Sequence, residues 1–130
     1  MTRWIATPVL SLGLAGLLVA CGGDDSGGGS NTVPADADVA VYAIDGIKWD
    51  EGSYNATSEN GEVTIYTENR SSLAHNLHVK GADDATIGDA VDLPGQGSKG
   101  EITVKLEPGE YRIVCLVPGH QNMASTLIVS

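Results

Sequence analysis

Tyr111-Arg-Ile-Val-Cys115-Leu-Val-Pro-Gly-His120-Gln-Asn-Met123-Ala-Ser-Thr-Leu-Ile-Val-Ser130 reads as a strand, a short loop and a closing strand. Tyr111, Ile113 and Cys115 share one parity of the first strand. If that strand is half buried, all three point inward and the thiol arrives at the strand's end. The loop adds the imidazole of His120 and the thioether of Met123. A thiolate, an imidazole and a thioether within nine residues form a soft donor set, which suits copper better than magnesium, calcium or manganese.

Such a site needs a second imidazole, and Ala74-His75-Asn76-Leu77-His78-Val79 offers one about forty residues upstream. This segment alternates as well. The face that buries Leu77 and Val79 also carries His75, whereas His78 falls on the opposite face.

Taken together, His75-Asn76, Pro108-Gly109-Glu110-Tyr111, Cys115, Val117-Pro118-Gly119-His120 and Met123 occur in an order that resembles the cupredoxin family, the small blue copper proteins of the plastocyanin, azurin and amicyanin kind. The resemblance spans roughly Val39 to Ser130. It implies one mononuclear type 1 copper with His75, Cys115 and His120 as a roughly trigonal set and Met123 as a longer axial contact. Two residues, Gln121 and Asn122, separate His120 from Met123, a spacing like the short loop of amicyanin. By the same resemblance, Asn76 braces the loop that carries Cys115. The ring edge of His120, among Leu116, Val117, Pro118 and Ala124, is then the expected electron port.

The rest of the chain is read outward from this site. Residues 1–20 contain one charge, Arg3, then an apolar run from about Val9, and end in Leu18-Val19-Ala20 before Cys21. This pattern predicts an export signal. It is short for a spanning helix. Leu-Val-Ala-Cys resembles a bacterial lipoprotein box, which implies lipid attachment at Cys21 and anchoring on the extracytoplasmic side, in the periplasm or at the cell surface. Residues 21–37, rich in Gly, Ser, Asp and Asn, have the composition of a flexible tether. The chain has two cysteines, so lipidation of Cys21 leaves Cys115 without a disulfide partner and exposed to oxidation unless it is buried or metal-bound.

Residues 38–130 are expected to form one domain of short alternating strands. Asp38 to Asp45 alternates, and Asn60-Gly61 marks a turn before Glu62 to Glu68, where Val63, Ile65 and Thr67 share a face. The segment from Gly81 to Gly100 is polar and Gly-rich and reads as a crossing with little regular structure. Glu101 to Leu106 alternates again, and Pro108-Gly109 suits a type II turn with Gly109 at positive φ. No sustained helical period appears, so the expected fold class is an all-β Greek-key sandwich. The chain lacks Phe, leaving Ile, Val, Leu, Tyr and Trp49 to fill the core.

The net charge is −10, and loss of Arg3 with the signal leaves 17 acidic against 6 basic residues. No basic patch is available to neutralise phosphates, which argues against nucleic acid as a partner. A basic redox protein, such as a cytochrome or another electron carrier, would be drawn by complementary charge. Three histidines cannot supply the further imidazole-rich sites of a multicopper oxidase or a copper nitrite reductase, and one available thiol cannot bridge a binuclear copper pair. The sequence therefore points to an electron carrier rather than an enzyme. The alternative is a lipoprotein that handles or delivers copper without a redox cycle.

Overall fold

The computed structural model describes residues 33–130; the expected signal segment 1–20, Cys21 and most of the 21–37 stretch lie outside the described residues. Nine strands follow in order: β1 (Val39–Ile44), β2 (Lys48–Trp49), β3 (Ser53–Ala56), β4 (Glu62–Asn69), β5 (His75–Lys80), β6 (Thr86–Leu93), β7 (Lys99–Lys105), β8 (Gly109–Val114) and β9 (Ala124–Val129). Among the described residues no helix is long and apolar enough to cross a membrane.

The strands form a four-stranded sheet, β2-β1-β4-β7, packed on a five-stranded sheet, β3-β9-β8-β5-β6. Sequence neighbours pair only at β1–β2, β5–β6 and β8–β9. All other connections change sheets or skip strands, giving the Greek-key β-sandwich expected from the alternation. Its core forms where that alternation is cleanest. Val41 and Ala43 of β1, Val63 and Ile65 of β4, Leu77 and Val79 of β5, Ile113 of β8 and Leu127 of β9 all face inward and are fully buried. Each large aliphatic side chain so buried stabilises the fold by about 1.5–3 kcal/mol. Trp49 and Tyr54 join this cluster in a core that has no Phe.

Two expectations are corrected. The 81–100 segment is not irregular, because it contains the eight-residue strand β6. This strand lies at a sheet edge, and its register against β5 shifts between Leu77 and Val79, which disrupts the period-two signal. Pro108-Gly109 is not a type II turn either. Gly109 has ordinary strand φ and pairs with Val129 as the first rung of β8 on β9. The reason is topological: β7 and β8 belong to different sheets, so this corner carries the chain across the sandwich instead of reversing it. Tyr111 pins the corner by donating its hydroxyl to the Glu107 carbonyl at 2.7 Å. Asn60-Gly61 does form a tight turn, with φ of 55° and 77°, the paired positive values of a type I′ hairpin.

Strand directions give the sandwich two distinct poles. β4 ends at Asn69, and β1 runs parallel to it with Ala43 beside Asn69, so β1 enters from the other pole. β9 starts beside Met123 and runs away from it, bringing Val129 to that same entry pole. The candidate site lies at the pole where β4 ends and β9 begins.

Candidate metal centre

His75 opens β5 on the parity of Leu77 and Val79, as the alternation predicts, and is buried with them. His78 lies on the outward face and is only partly buried. Cys115 follows the last residue of β8. Its N–H donates to the Met123 carbonyl at 3.1 Å, adding one more tie beyond the last β8–β9 pair, Val114 with Ala124. Within the loop thus closed, the His120 N–H donates to the Val117 carbonyl at 3.0 Å and the Met123 N–H to the His120 carbonyl at 2.9 Å. Gly119, at φ 91°, supplies the left-handed step that lets this short loop turn back.

These elements bring three of the four expected ligand side chains into direct proximity. Cys115 Sγ is 3.6 Å from His120 Nδ1 and 4.0 Å from His75 Nδ1, and the two imidazole ring centres are 4.9 Å apart. The three donor atoms lie within 4.8 Å of one another. First-row ions bind imidazole and thiolate at about 2.0–2.3 Å, so donors on opposite sides of one ion stand about 4.4 Å apart at most. The separations lie near this limit, so a single ion would need only a small inward movement of the side chains. His75 and Cys115 are each 3% exposed and His120 is 9% exposed. Met123, 1% exposed, packs in the core immediately beside this group and is tied through its backbone to both Cys115 and His120.

Burial lowers the pKa of His75, and the nearby His120 lowers it further. A neutral His75 keeps a lone pair available to a metal. Cys115 is a free, buried thiol.

Asn76 occupies the bracing position implied by the family resemblance. Its Oδ1 accepts the N–H of Leu116 at 2.7 Å, which ties β5 to the first residue after Cys115. Leu116, Val117, Pro118 and Ala124, the expected surroundings of the electron port, line one half-open pocket of about 290 Å³ with Cys115.

Sequence reasoning missed a buried polar group behind His75. Ser71 Oγ is 2.7 Å from His75 Nε2 and 2.9 Å from Asn69 Oδ1. Asn69 Oδ1 also accepts the Ser71 N–H at 2.9 Å, while Asn69 Nδ2 donates to the carbonyls of Leu73 at 2.7 Å and Leu93 at 3.1 Å. Asn69-Arg70-Ser71 reads in sequence as an ordinary polar loop. No spacing rule connects it to a ligand four residues later.

No family model matches the chain, and no curated protein matches it by sequence. Its structure is nevertheless similar to several solved ones. Dithionite-reduced auracyanin from the photosynthetic bacterium Roseiflexus castenholzii is 18% identical, with a TM-score of 0.60, over 71% of this chain and 95% of that one. An azurin, Az-iso2, from the obligate methylotroph Methylomonas sp. strain J is 22% identical, with a TM-score of 0.59, over 74% and 99%. Auracyanin A, a blue copper protein from the green thermophilic photosynthetic bacterium Chloroflexus aurantiacus, is 23% identical, with a TM-score of 0.57, over 70% and 96%. Identities this low speak for a shared fold. Residues 33–130 thus have the fold of the cupredoxins, the blue copper proteins represented by auracyanin and azurin, and hold a buried His75–Cys115–His120 group consistent with a type 1 copper site.

Proposed function

We propose that this protein carries single electrons between redox partners through one type 1 copper, which would be held by His75, Cys115 and His120 with the Met123 thioether as a fourth, weaker donor. The observation that carries this reading is the convergence of two imidazoles and one thiol, all buried, at one end of a sandwich whose strands hold them in place. Bound copper would supply the one-electron Cu(II)/Cu(I) couple. The chain's own residues do the rest. β5 fixes His75, the continued β8–β9 hairpin fixes Cys115, and the hydrogen-bonded loop fixes His120 and Met123. Donors held this firmly move little when the charge at their centre changes, and burial keeps water from adding a further ligand. His120, the most exposed of the three close donors, is the port toward a partner.

We further propose that Cys21 is lipidated, so that the domain is anchored on the extracytoplasmic side of a membrane, in the periplasm or at the cell surface. What supports this is the Leu18-Val19-Ala20-Cys21 pattern and the tether-like composition of 21–37. The acidic balance of the chain favours a basic redox protein as partner. Nothing about the three-histidine complement calls for catalysis.

Titration of the full chain with Cu(II) tests the central claim. One equivalent should bind with an intense visible band from thiolate to Cu(II) and give a reversible one-electron wave. Tight binding with no such band would overturn the blue-copper assignment. Rapid loss of the metal to an acceptor, without a reversible wave, would favour copper delivery instead.

A further inference from the structure

The copper reading leaves unexplained the fully buried polar pair behind His75. Asn69 is 0% and Ser71 1% exposed, in a region where desolvating polar groups is costly unless every donor and acceptor is matched. Resting on that reading, we infer that Ser71, held by Asn69, is a positioning residue that selects the His75 tautomer able to bind metal.

The argument is a count of protons. Both Nδ2 hydrogens of Asn69 are committed to the carbonyls of Leu73 and Leu93, which fixes the orientation of the amide and leaves Oδ1 as a pure acceptor. Oδ1 faces the backbone N–H and the hydroxyl of Ser71, both at 2.9 Å. Ser71 Oγ accepts the Leu73 N–H at 3.2 Å and has one hydrogen to give. If that hydrogen goes to Asn69 Oδ1, or to the Leu73 carbonyl at 3.2 Å, the hydroxyl oxygen faces His75 Nε2 at 2.7 Å as an acceptor, and Nε2 carries the ring proton. Nδ1 is then unprotonated and faces Cys115 Sγ. In the opposite tautomer, Ser71 must give its hydrogen to Nε2. Asn69 Oδ1 then loses one of its two donors, and an N–H at Nδ1 obstructs the metal position. Only the first arrangement satisfies the whole network and leaves a lone pair at the site. A partner on the distal nitrogen of a metal-binding imidazole sets its tautomer and ring orientation in just this way.

The full chain, its Ser71→Ala variant and its Ser71→Thr variant, which retains a hydroxyl, test the assignment. Ring ¹⁵N spectra of the metal-free proteins report the tautomer of His75 directly, and competition between protein and a chelator for Cu(II) reports affinity. The metal-free parent should hold His75 with its proton on Nε2. Ser71→Ala should mix the tautomers and weaken Cu(II) binding about 10–100-fold, with Ser71→Thr restoring both toward the parent. A parent with its proton on Nδ1, or a Ser71→Ala variant with parental tautomer and affinity, overturns the inference. The first result is read without any variant, so poor folding of Ser71→Thr cannot shield the idea. A parent that binds no Cu(II) would instead defeat the copper reading, while the metal-free spectra would still judge the role of Ser71.

Discussion

The two imidazoles of the site are held in contrasting ways. His75 belongs to a central strand, is buried to 3% exposure, and is backed by a hydrogen-bonded Ser71 and Asn69. His120 sits on a nine-residue loop whose restraints are mostly its own backbone hydrogen bonds, and it is the more exposed of the pair. One candidate ligand is built into the sandwich and the other is attached to it. A centre made this way can keep its geometry from the first and meet a partner through the second.

Cys115 is common to both halves, and its loss should have the largest effect. Cys115→Ser should still fold and bind some copper but should lose the intense visible band, because that absorption needs the thiolate. An intensely blue Cys115→Ser protein would remove Cys115 from the site altogether.

The contrast between the histidines predicts unequal costs in the metal-free protein. His75→Ala should lower stability by about 2–3 kcal/mol, from the vacated volume and the stranded Ser71 hydroxyl. His120→Ala should cost about 1 kcal/mol or less, since the His120 ring lies outside the hydrophobic core cluster and strands no hydrogen-bonded hydroxyl when removed. Urea unfolding of the two variants makes the comparison; equal losses would erase the distinction. Both should abolish the native copper spectrum, whereas His78→Ala should leave it unchanged, because a strand's period of two puts His78 on the other face.

Met123 sharpens the loop side of the comparison. Met123→Gln, with a stronger axial donor, should lower the reduction potential, and Met123→Leu should raise it, both with copper retained by the other three ligands. Met123→Leu is close in volume and should cost less than about 1.5 kcal/mol of stability. Voltammetry beside the parent decides, and unchanged potentials with unchanged spectra would mean that the thioether does not face the metal.

Asn76 is the stitch between the two halves. Asn76→Ala should cost about 1 kcal/mol and should speed hydrogen exchange at the Leu116 amide, whose acceptor it removes. Parental protection at Leu116 would show that the loop holds itself.

A smaller effect is expected from pH. Burial, followed by the neighbouring His120, lowers the pKa of His75; burial also lowers that of His78, with Asp92 opposing and Lys80 reinforcing the shift. Both rings thus stay neutral in the folded state at a pH where the unfolded chain, titrating near ~6.5, takes up protons. Stability is complete above that value and falls as pH drops below it. The urea midpoint of the metal-free protein should therefore fall between about pH 7.5 and about pH 5.5. His78→Gln should reduce the drop, and a midpoint that rose on acidification would contradict the direction.

Legibility in the sequence followed the physics of each region. The parity of His75-Leu77-Val79 and of Ile113-Cys115 is a local property, and it placed two of the site's side chains on the inward face before any tertiary information. The two-residue strand β2 and the four-residue β3 are too short to display a period. β6 is obscured by its register shift, and Pro108-Gly109 misled because a turn signal does not say whether the chain reverses or crosses. Asn69 and Ser71 stayed invisible for a different reason. Their role depends on where the side chains at the end of β4 and in the connection after it point once β4 and β5 lie in opposite sheets, which no pattern along the chain encodes.

The opposite poles of the sandwich keep the entering chain apart from the candidate site. β1 enters at the pole away from His75, Cys115 and His120, and a strand of six to eight residues spans roughly 20 Å. The His75–Cys115–His120 end therefore lies about one strand length from the pole at which the chain enters the sandwich. A partner that docks over His120 would thus meet the end of the sandwich that the entering chain leaves clear.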